Sequence, residues 1–533
     1  MVSSALQPGT VRGPPGHPKN LIQLKKIPFM KISKSILTGM IAVGLASAAS
    51  ATQYTVHIVG STAYRAPVMS AILDYLTSVG TTPKYCFWGS STFRKANAAT
   101  FSSTVGSDTY VVECFWTGSA AGVTDLVKAN PVDDFLSYST YSSSMSTTGY
   151  YISSSSPTFE TAVAPDSAMS DSYYQSVAKV MSDASVVGSS GSALAHSINS
   201  ATLTNAGVTA GPKKTVGIIP FLWVLQNPGS SGVSATNITQ NVAKQLLQVG
   251  YINFSQLSGL SADITNYAFL VGRNEDSGTR IDSAADAQDG FDIAPFQVLP
   301  EFTSNATTSS VYPLPAYPPS GHTGGAGSTL SSIELWPAGV ALNTEPGISW
   351  AAGGHSGLVS GGDVANTLNS TNPGAANITV DDGSGNVTDD SAGNNACAPL
   401  DNNYTAGSSQ CLLLGYVGVA DAYSVLASIG GTAIAGQPST AKALGLSYEG
   451  VNYSPAAVEN GEYTLFGYEH MYYTTATGTV KTVLDGIADK VYGSDADIDS
   501  SGNHGAGDAA GIFYSSMNFS RGLTEGGILS PTN

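Results

Sequence analysis

Charge is scarce in this sequence. Asp, Glu, Lys and Arg together make up 11% of its 533 residues, against about 25% in an ordinary globular protein. Cations are the scarcer sign, with 21 Lys and Arg against 38 Asp and Glu, a formal net charge of −17. A chain so acidic is excluded from binding nucleic acid or an anionic membrane surface through bulk charge. A small anion in a recess remains open to it, because backbone N–H groups and one guanidinium can hold such a ligand under an acidic exterior. Cysteine is also rare, and the 4 present have no zinc-ligand spacing. No apolar run approaches the ~20 residues of a membrane-spanning helix.

What the sequence has is length, small polar residues and an export signal. A chain of 533 residues with 42% hydrophobic content can bury more than one core, so two lobes with decoration are expected. Lys25, Lys26, Lys31 and Lys34 precede an apolar run from Ile36 to Leu45, and Ala49-Ser50-Ala51 follows as a small-x-small cleavage site. That is the pattern of a secretory signal peptide cut after Ala51, with residues 1–29 as an upstream extension. No Cys stands at the cleavage site, so a lipid anchor is not indicated, and a soluble periplasmic or secreted product is expected. In an exported chain the four cysteines read as two disulfides. Proximity in sequence favours Cys86 with Cys114 and Cys397 with Cys411, although three connectivities are formally open.

The pattern along the chain alternates strand and helix. Tyr54 to Val59 reads as a strand, Gly60-Ser61-Thr62 as a turn and Pro67 to Val79 as a helix. The same order returns at Thr109 to Trp116, Thr117 to Gly122 and Val123 to Lys128. Val216 to Leu225 reads as a strong strand, Asn237-Ile238-Thr239 as a cap on a helix ending near Val249, and Ala268 to Gly272 as a short strand. Residues 137–156 are crowded with Ser, Thr and Tyr and read as an inserted hairpin or loop. Residues 282–410 carry Pro, Ser and Gly-rich insertions, including Asp381 to Asn386. Beyond Leu412 to Val419 the chain reads as helix-rich, with a strand-like Tyr463 to Tyr473, a helical Val480 to Tyr492 and a Gly/Asp/Ser-rich tail. Such alternation predicts an α/β fold with mostly parallel sheets. Ligands of those folds sit beyond the carboxyl ends of the strands.

Three turns place small hydroxyl residues where a helix begins: Gly60 to Thr62, Thr117 to Gly122 and Ser277 to Thr279. The first N–H groups of a helix lack intrahelical partners and carry the positive end of its dipole, so an oxyanion suits them. Arg273, four residues before Ser277, adds a guanidinium able to make a charge-assisted contact with the same anion.

On these residues the sequence resembles the phosphate-binding protein of bacterial ABC phosphate transporters, of the periplasmic binding-protein type II class. Gly60-Ser61-Thr62-Ala63-Tyr64-Arg65-Ala66-Pro67 is similar to the family's first ligand loop and Gly118-Ser119-Ala120-Ala121-Gly122-Val123 to its second. Ala164-Pro165-Asp166-Ser167-Ala168 resembles its Ala-Ser-Asp-Ala-Pro segment, Arg273 to Thr279 its Arg-x-Asp-Gly-Ser-Gly-Thr motif, and Gly415-Tyr416-Val417-Gly418 its returning strand. The resemblance implies two lobes joined by crossing strands: residues 52–214 with 426–533, and 215–425. It also implies a non-enzymatic protein without a cofactor, which captures phosphate or a related oxyanion and delivers it to a transporter permease. As ligand donors it implies Thr62, Ala63, Tyr64, Ser119, Arg273, Ser277, Gly278 and Thr279, with Asp166 as the acceptor that discriminates hydrogen phosphate from sulfate. Glu275 and Asp276 depart from the family by adding negative charge, and Arg65 departs by adding a cation that either offsets them or enlarges the site for a phosphate ester.

The rival from another class is a secreted structural or adhesion protein that reuses the fold with an altered cleft. Asp495, Asp497 and Asp499 lack the Gly and Glu of a calcium loop, and Gly354-His355-Ser356-Gly357 lacks a full nucleophile elbow. His57 and His470 are expected to be packed or rim residues rather than metal ligands.

Overall fold

Eleven strands lie side by side in one sheet, in the order (by first residue) 251, 267, 411, 217, 466, 167, 53, 108, 98, 84 and 150, in a computed structural model of the chain. The structure describes residues 51–531 except 130–133, 183–203, 206–214, 291–294, 303–323, 336–356, 375–378, 382–404, 406, 474–475, 493–510, 513 and 522–524. The upstream extension, the signal peptide up to Ser50, Cys397, Gly354-His355-Ser356 and the Asp495–Asp499 tail lie outside the described residues. No described helix is long and apolar enough to cross a membrane.

On one side of the sheet stand β1 (Gln53–Gly60), β2 (Lys84–Trp88), β3 (Ala98–Val105), β4 (Asp108–Phe115), β5 (Tyr150–Ile152) and β6 (Ser167–Ser170). Their helices are α1 (Arg65–Val79), α2 (Ser119–Lys128), α3 (Tyr138–Tyr141) and α4 (Tyr174–Ser182). A short β7 (Thr204–Asn205) follows, and then the strand β8 (Gly217–Leu225) enters the centre of the sheet. Beyond it come β9 (Asn237–Ile238), α5 (Gln240–Val249), β10 (Tyr251–Asn253), α6 (Ser255–Ser258) and β11 (Tyr267–Leu270). After α7 (Gly278–Asp286), a separate sheet holds β12 (Val298–Phe302), β13 (Leu330–Leu335) and β14 (Thr379–Asp381), with α8 (Gly361–Leu368) between the last two in sequence. The chain then returns through β15 (Cys411–Gly418), α9 (Val419–Tyr423), β16 (Leu426–Ile429), β17 (Thr432–Ala433), β18 (Ala443–Gly445), β19 (Ser447–Tyr448), α10 (Pro455–Glu459), β20 (Phe466–Tyr473) and α11 (Gly478–Tyr492).

This is the α/β fold expected from the alternating pattern. Pairing is parallel where β1 lies between β4 and β6, and again where β11 meets β15. It turns antiparallel where β8 and β20 cross the middle. β8 gives its first half to β20, from Gly217 against Glu469 to Pro220 against Phe466, and its second half to β15, from Phe221 against Gly418 to Leu225 against Leu414. All nine residues of β8 are buried, which explains its unbroken apolar run: both faces and both edges are covered. Pro220 has no N–H to give to a ladder, and it falls where the strand changes partner. β20 is shared likewise, its later residues pairing with β6. Two half-sheets are thereby joined through two strands.

Several expectations change. Residues 137–156 form a one-turn helix and an edge strand, with β5 running parallel to β2. The stretch from Val419 to Glu459 is not helix-rich: it holds four strands of two to four residues and two five-residue helices, whereas the strand and helix expected at Tyr463 to Tyr473 and Val480 to Tyr492 are β20 and α11. Cys86 and Cys114 are not bonded to each other and are both free and buried. Cys86 pairs with Thr100 of β3, and β3 in turn pairs Ala99 with Cys114. With a whole strand between them they are about 9 to 10 Å apart, beyond the Cα reach of a disulfide. Burial raises both thiols, Cys86 to about 12, so they are inert packing groups.

Candidate anion-binding site

Five strands end at one place. β1, β4, β6, β11 and β15 deliver at their carboxyl ends the segments that hold Thr62, Ser119, Asp171, Arg273 and Asp421. Close backbone approach makes this convergence possible. Gly60 has φ +120°, and a Cβ there would lie 2.0 Å from the Met169 carbonyl oxygen, so only glycine fits. Ser61 N–H donates to that same carbonyl at 2.9 Å, and Gly118 N–H donates to Gly60 O at 2.9 Å. From the other half-sheet, Asp276 O accepts the N–H of Ala120 at 2.9 Å, which brings the second and third turns face to face.

Arg273 lies at the centre and is 1% exposed. Its Nε donates to Leu358 O at 3.2 Å, Nη2 to Val359 O at 2.7 Å and Nη1 to Thr62 Oγ1 at 3.3 Å. Its backbone N–H donates to the Tyr416 hydroxyl at 3.3 Å. A guanidinium has five N–H groups, and these three side-chain bonds all end on neutral oxygens. Among the described residues no carboxylate forms an ion pair with it, although Asp171, Asp421 and Asp363 lie in its electrostatic neighbourhood. Burial pulls the guanidinium below its ordinary value and those carboxylates oppose the shift.

Asp171 faces it across the seam. Thr279 Oγ1 donates to Asp171 Oδ2 at 3.2 Å, the Thr279 backbone N–H also donates to this carboxylate, and Asp171 N–H donates to Ser119 Oγ at 3.3 Å. Oδ1 is buried without a partner. Burial raises the carboxyl to about 6, with Arg273 and the Thr279 bonds holding it back. Gly278 opens α7, and a Cβ on it would sit 1.9 Å from Asp171 Oδ1. Ser277 is the N-cap, its Oγ accepting Arg280 N–H at 3.3 Å.

Arg65 Nη2 pairs with Asp421 Oδ1 at 3.1 Å, joining α1 to α9 across the seam, and both residues are buried. Arg65 Nε and Asp421 Oδ2 are buried without partners. Asp363, in the first turn of α8, accepts from Ser360 Oγ at 2.7 Å, and burial raises its carboxyl. The two acids of the loop are accommodated within it: Asp276 Oδ2 accepts from Asn274 at 3.1 Å, and Glu275 stands 3.8 Å from Arg280.

The structure thus brings together Thr62, Arg65, Ser119, Arg273, Ser277, Gly278 and Thr279. Ala63 lies at the seam, its Cβ 3.3 Å from where a Cβ on Gly418 would be. The Tyr64 side chain turns away into the core towards Gly217, leaving only its backbone in the loop. Asp166 is not in the cluster. It sits at the opposite end of β6, where it accepts the N–H of His57 at 2.9 Å and lies 3.2 Å from His57 Nδ1. The carboxylate of the site is Asp171. Asp171 directly follows β6, whose last residue is Ser170, and an acid at the carboxyl end of a strand was the available signal. Asp363 and Asp421 carried no motif.

No family model matches the chain, and no curated protein matches it. Among solved structures it is similar to the ABC-type phosphate transport receptor of Vibrio cholerae, at 12% identity and TM-score 0.30, over 82% of this chain and 96% of that one. It is similar also to a provisionally assigned phosphate ABC transporter substrate-binding protein of Clostridium perfringens solved with bound phosphate, at 11% identity and TM-score 0.31, over 81% and 93%. A possible phosphate-binding protein of Planctomyces limnophilus matches at 10% identity and TM-score 0.28, over 80% and 82%. The α/β fold assignment rests on the strand order and register described above.

Proposed function

We propose that this chain is an exported solute-binding protein that captures phosphate or a similar oxyanion between its two half-sheets and passes it to an ABC-type permease. The observation that carries the reading is Arg273: a fully buried guanidinium whose side-chain bonds all go to neutral oxygens. A buried cation of this kind needs an anion. Thr62 accepts from the guanidinium, and Ser119, Gly278 and Thr279 stand around the Asp171 carboxylate beside it. In this reading residues 52–214 with 426–533 make one lobe and 215–425 the other, and β8 and β20 are the hinge. Asp171, with a carboxyl held near 6, accepts the proton of hydrogen phosphate and presents an unpaired like charge to sulfate. No covalent chemistry is involved.

A second reading, a secreted structural protein with an altered cleft, is favoured by one observation. Asp171 already occupies the start of α7 and Asp421 already occupies Arg65, so protein carboxylates take positions an anion would seek. Isothermal titration of the mature chain with phosphate, sulfate and arsenate separates the two. The capture reading expects phosphate and arsenate to bind and sulfate to fail, and expects Arg273→Ala to lose about 2 to 5 kcal/mol of phosphate binding. No binding of any of the three anions discards capture.

A further inference from the structure

Another cation, Lys95, stands outside the cluster described so far. The 3₁₀ turn Phe93–Lys95 follows β2 and packs against α1. Two residues on, Asn97 N–H donates to Trp88 O at 2.8 Å, and Asn97 O accepts from Trp116 N–H at 3.0 Å. Trp116 directly precedes the Thr117–Gly122 turn, so Lys95 lies on the sheet edge where the site loops emerge. Phe93 anchors the turn by packing on the core and against Tyr85, at 4.6 Å between rings. Lys95 is half-buried and forms no ion pair among the described residues. Burial pulls its ammonium below the ordinary lysine value; of its charged neighbours, Asp421 opposes this and Arg65 adds to it.

The turn that carries Lys95 packs on α1, the helix that Arg65 opens, and a partly desolvated ammonium with a guanidinium among its charged neighbours is unfavourable in a protein with acids to spare. Besides Arg280, which faces Glu275, three of the 21 cations stand on the segments of this region with graded burial: Lys95 half-buried, Arg65 5% exposed and Arg273 1% exposed. We infer that Lys95 is a guiding residue for the incoming anion, drawing it to the rim where Arg65 and then Arg273 take it, without itself touching the anion once bound. The inference rests on the capture reading above. Its physical content is kinetic: a rim charge acts on encounter rate and salt dependence rather than on residence time.

The test is stopped-flow tryptophan fluorescence of the full mature chain mixed with inorganic phosphate, for wild type, Lys95→Gln and Lys95→Arg, with thermal melts confirming that all three are folded. Lys95→Gln should lower the association rate about threefold or more at low ionic strength, and this gap should close near about 0.5 M salt. The dissociation rate should stay unchanged, and Lys95→Arg should behave as wild type. An unchanged association rate in Lys95→Gln overturns the inference, as does a matching rise in dissociation, which would make Lys95 a bound-state contact. A wild-type chain that does not bind phosphate overturns the capture reading together with the inference, whereas phosphate binding with Lys95→Gln indistinguishable from wild type overturns the inference alone.

Discussion

His57 is held between two carboxylates. Its Nδ1 lies 3.2 Å from Asp166 Oδ2 and its Nε2 lies 3.2 Å from Glu113 Oε2, while Glu113 Oε1 accepts from Tyr138 N–H at 3.0 Å. Burial alone would lower the imidazole, but the two carboxylates raise it to about 9. A folded-state value above the unfolded ~6.5 means a stabilisation fully present below pH ~6.5 and lost as pH rises through about 9. Urea midpoints measured from pH 6 to 10 should fall across that window in wild type and stay flatter in His57→Gln. Gly278 offers a sharper local test. A Gly→Ala change inside a helix ordinarily stabilises by up to about 1 kcal/mol, yet here the new methyl would meet Asp171 Oδ1. Overpacking of this kind costs about 1 to 3 kcal/mol, so Gly278→Ala should lower the melting temperature, and a rise would show that the carboxylate moves freely. The same residues show what sequence alone could reach. Arg273 and Ser277 to Thr279 were legible because a cation at fixed spacing before a helix start has a physical use. Asp166 was misplaced because it and Asp171 flank one four-residue strand, and only register decides which end of that strand faces the turns.

Among the elements, α5 was read best. Thr239 Oγ1 accepts Val242 N–H at 3.3 Å and Gly250 closes the helix at φ 83°, so both ends were written in residue types with local causes. Thr239→Ala should cost about 1 kcal/mol in chemical denaturation and leave anion titrations untouched, because this cap lies away from the site. Strands β16 to β19 could not be read in the same way. Runs of two to four residues are too short to display an alternation, and they are strands because neighbours pair with them: β8 with β18, β9 with β19, and β16 with both β17 and β18. The edge strand β5 is another case of structure imposed by a neighbour, since Tyr150 to Ile152 gain their form from Cys86 to Trp88. The expected cysteine pairing failed for a related reason: 28 positions of separation along the sequence did not reveal that β3 lies between.

For the whole molecule, the governing feature is the double use of β8 and β20. Neither half-sheet is built from one continuous stretch, since β6 takes as its neighbour a strand that begins almost three hundred residues later. A fragment spanning residues 52–214 should therefore fail to fold alone, and its amide NMR spectrum should lack the dispersion of a sheet; a well-dispersed spectrum would show that β20 is dispensable to this half. The timetable of synthesis follows from the same wiring. Until Phe466 to Tyr473 leave the ribosome, β6 remains an open edge and the middle of the molecule cannot be assembled. Nascent chains must therefore wait, loosely structured, for almost their full length before the last piece locks both halves at once.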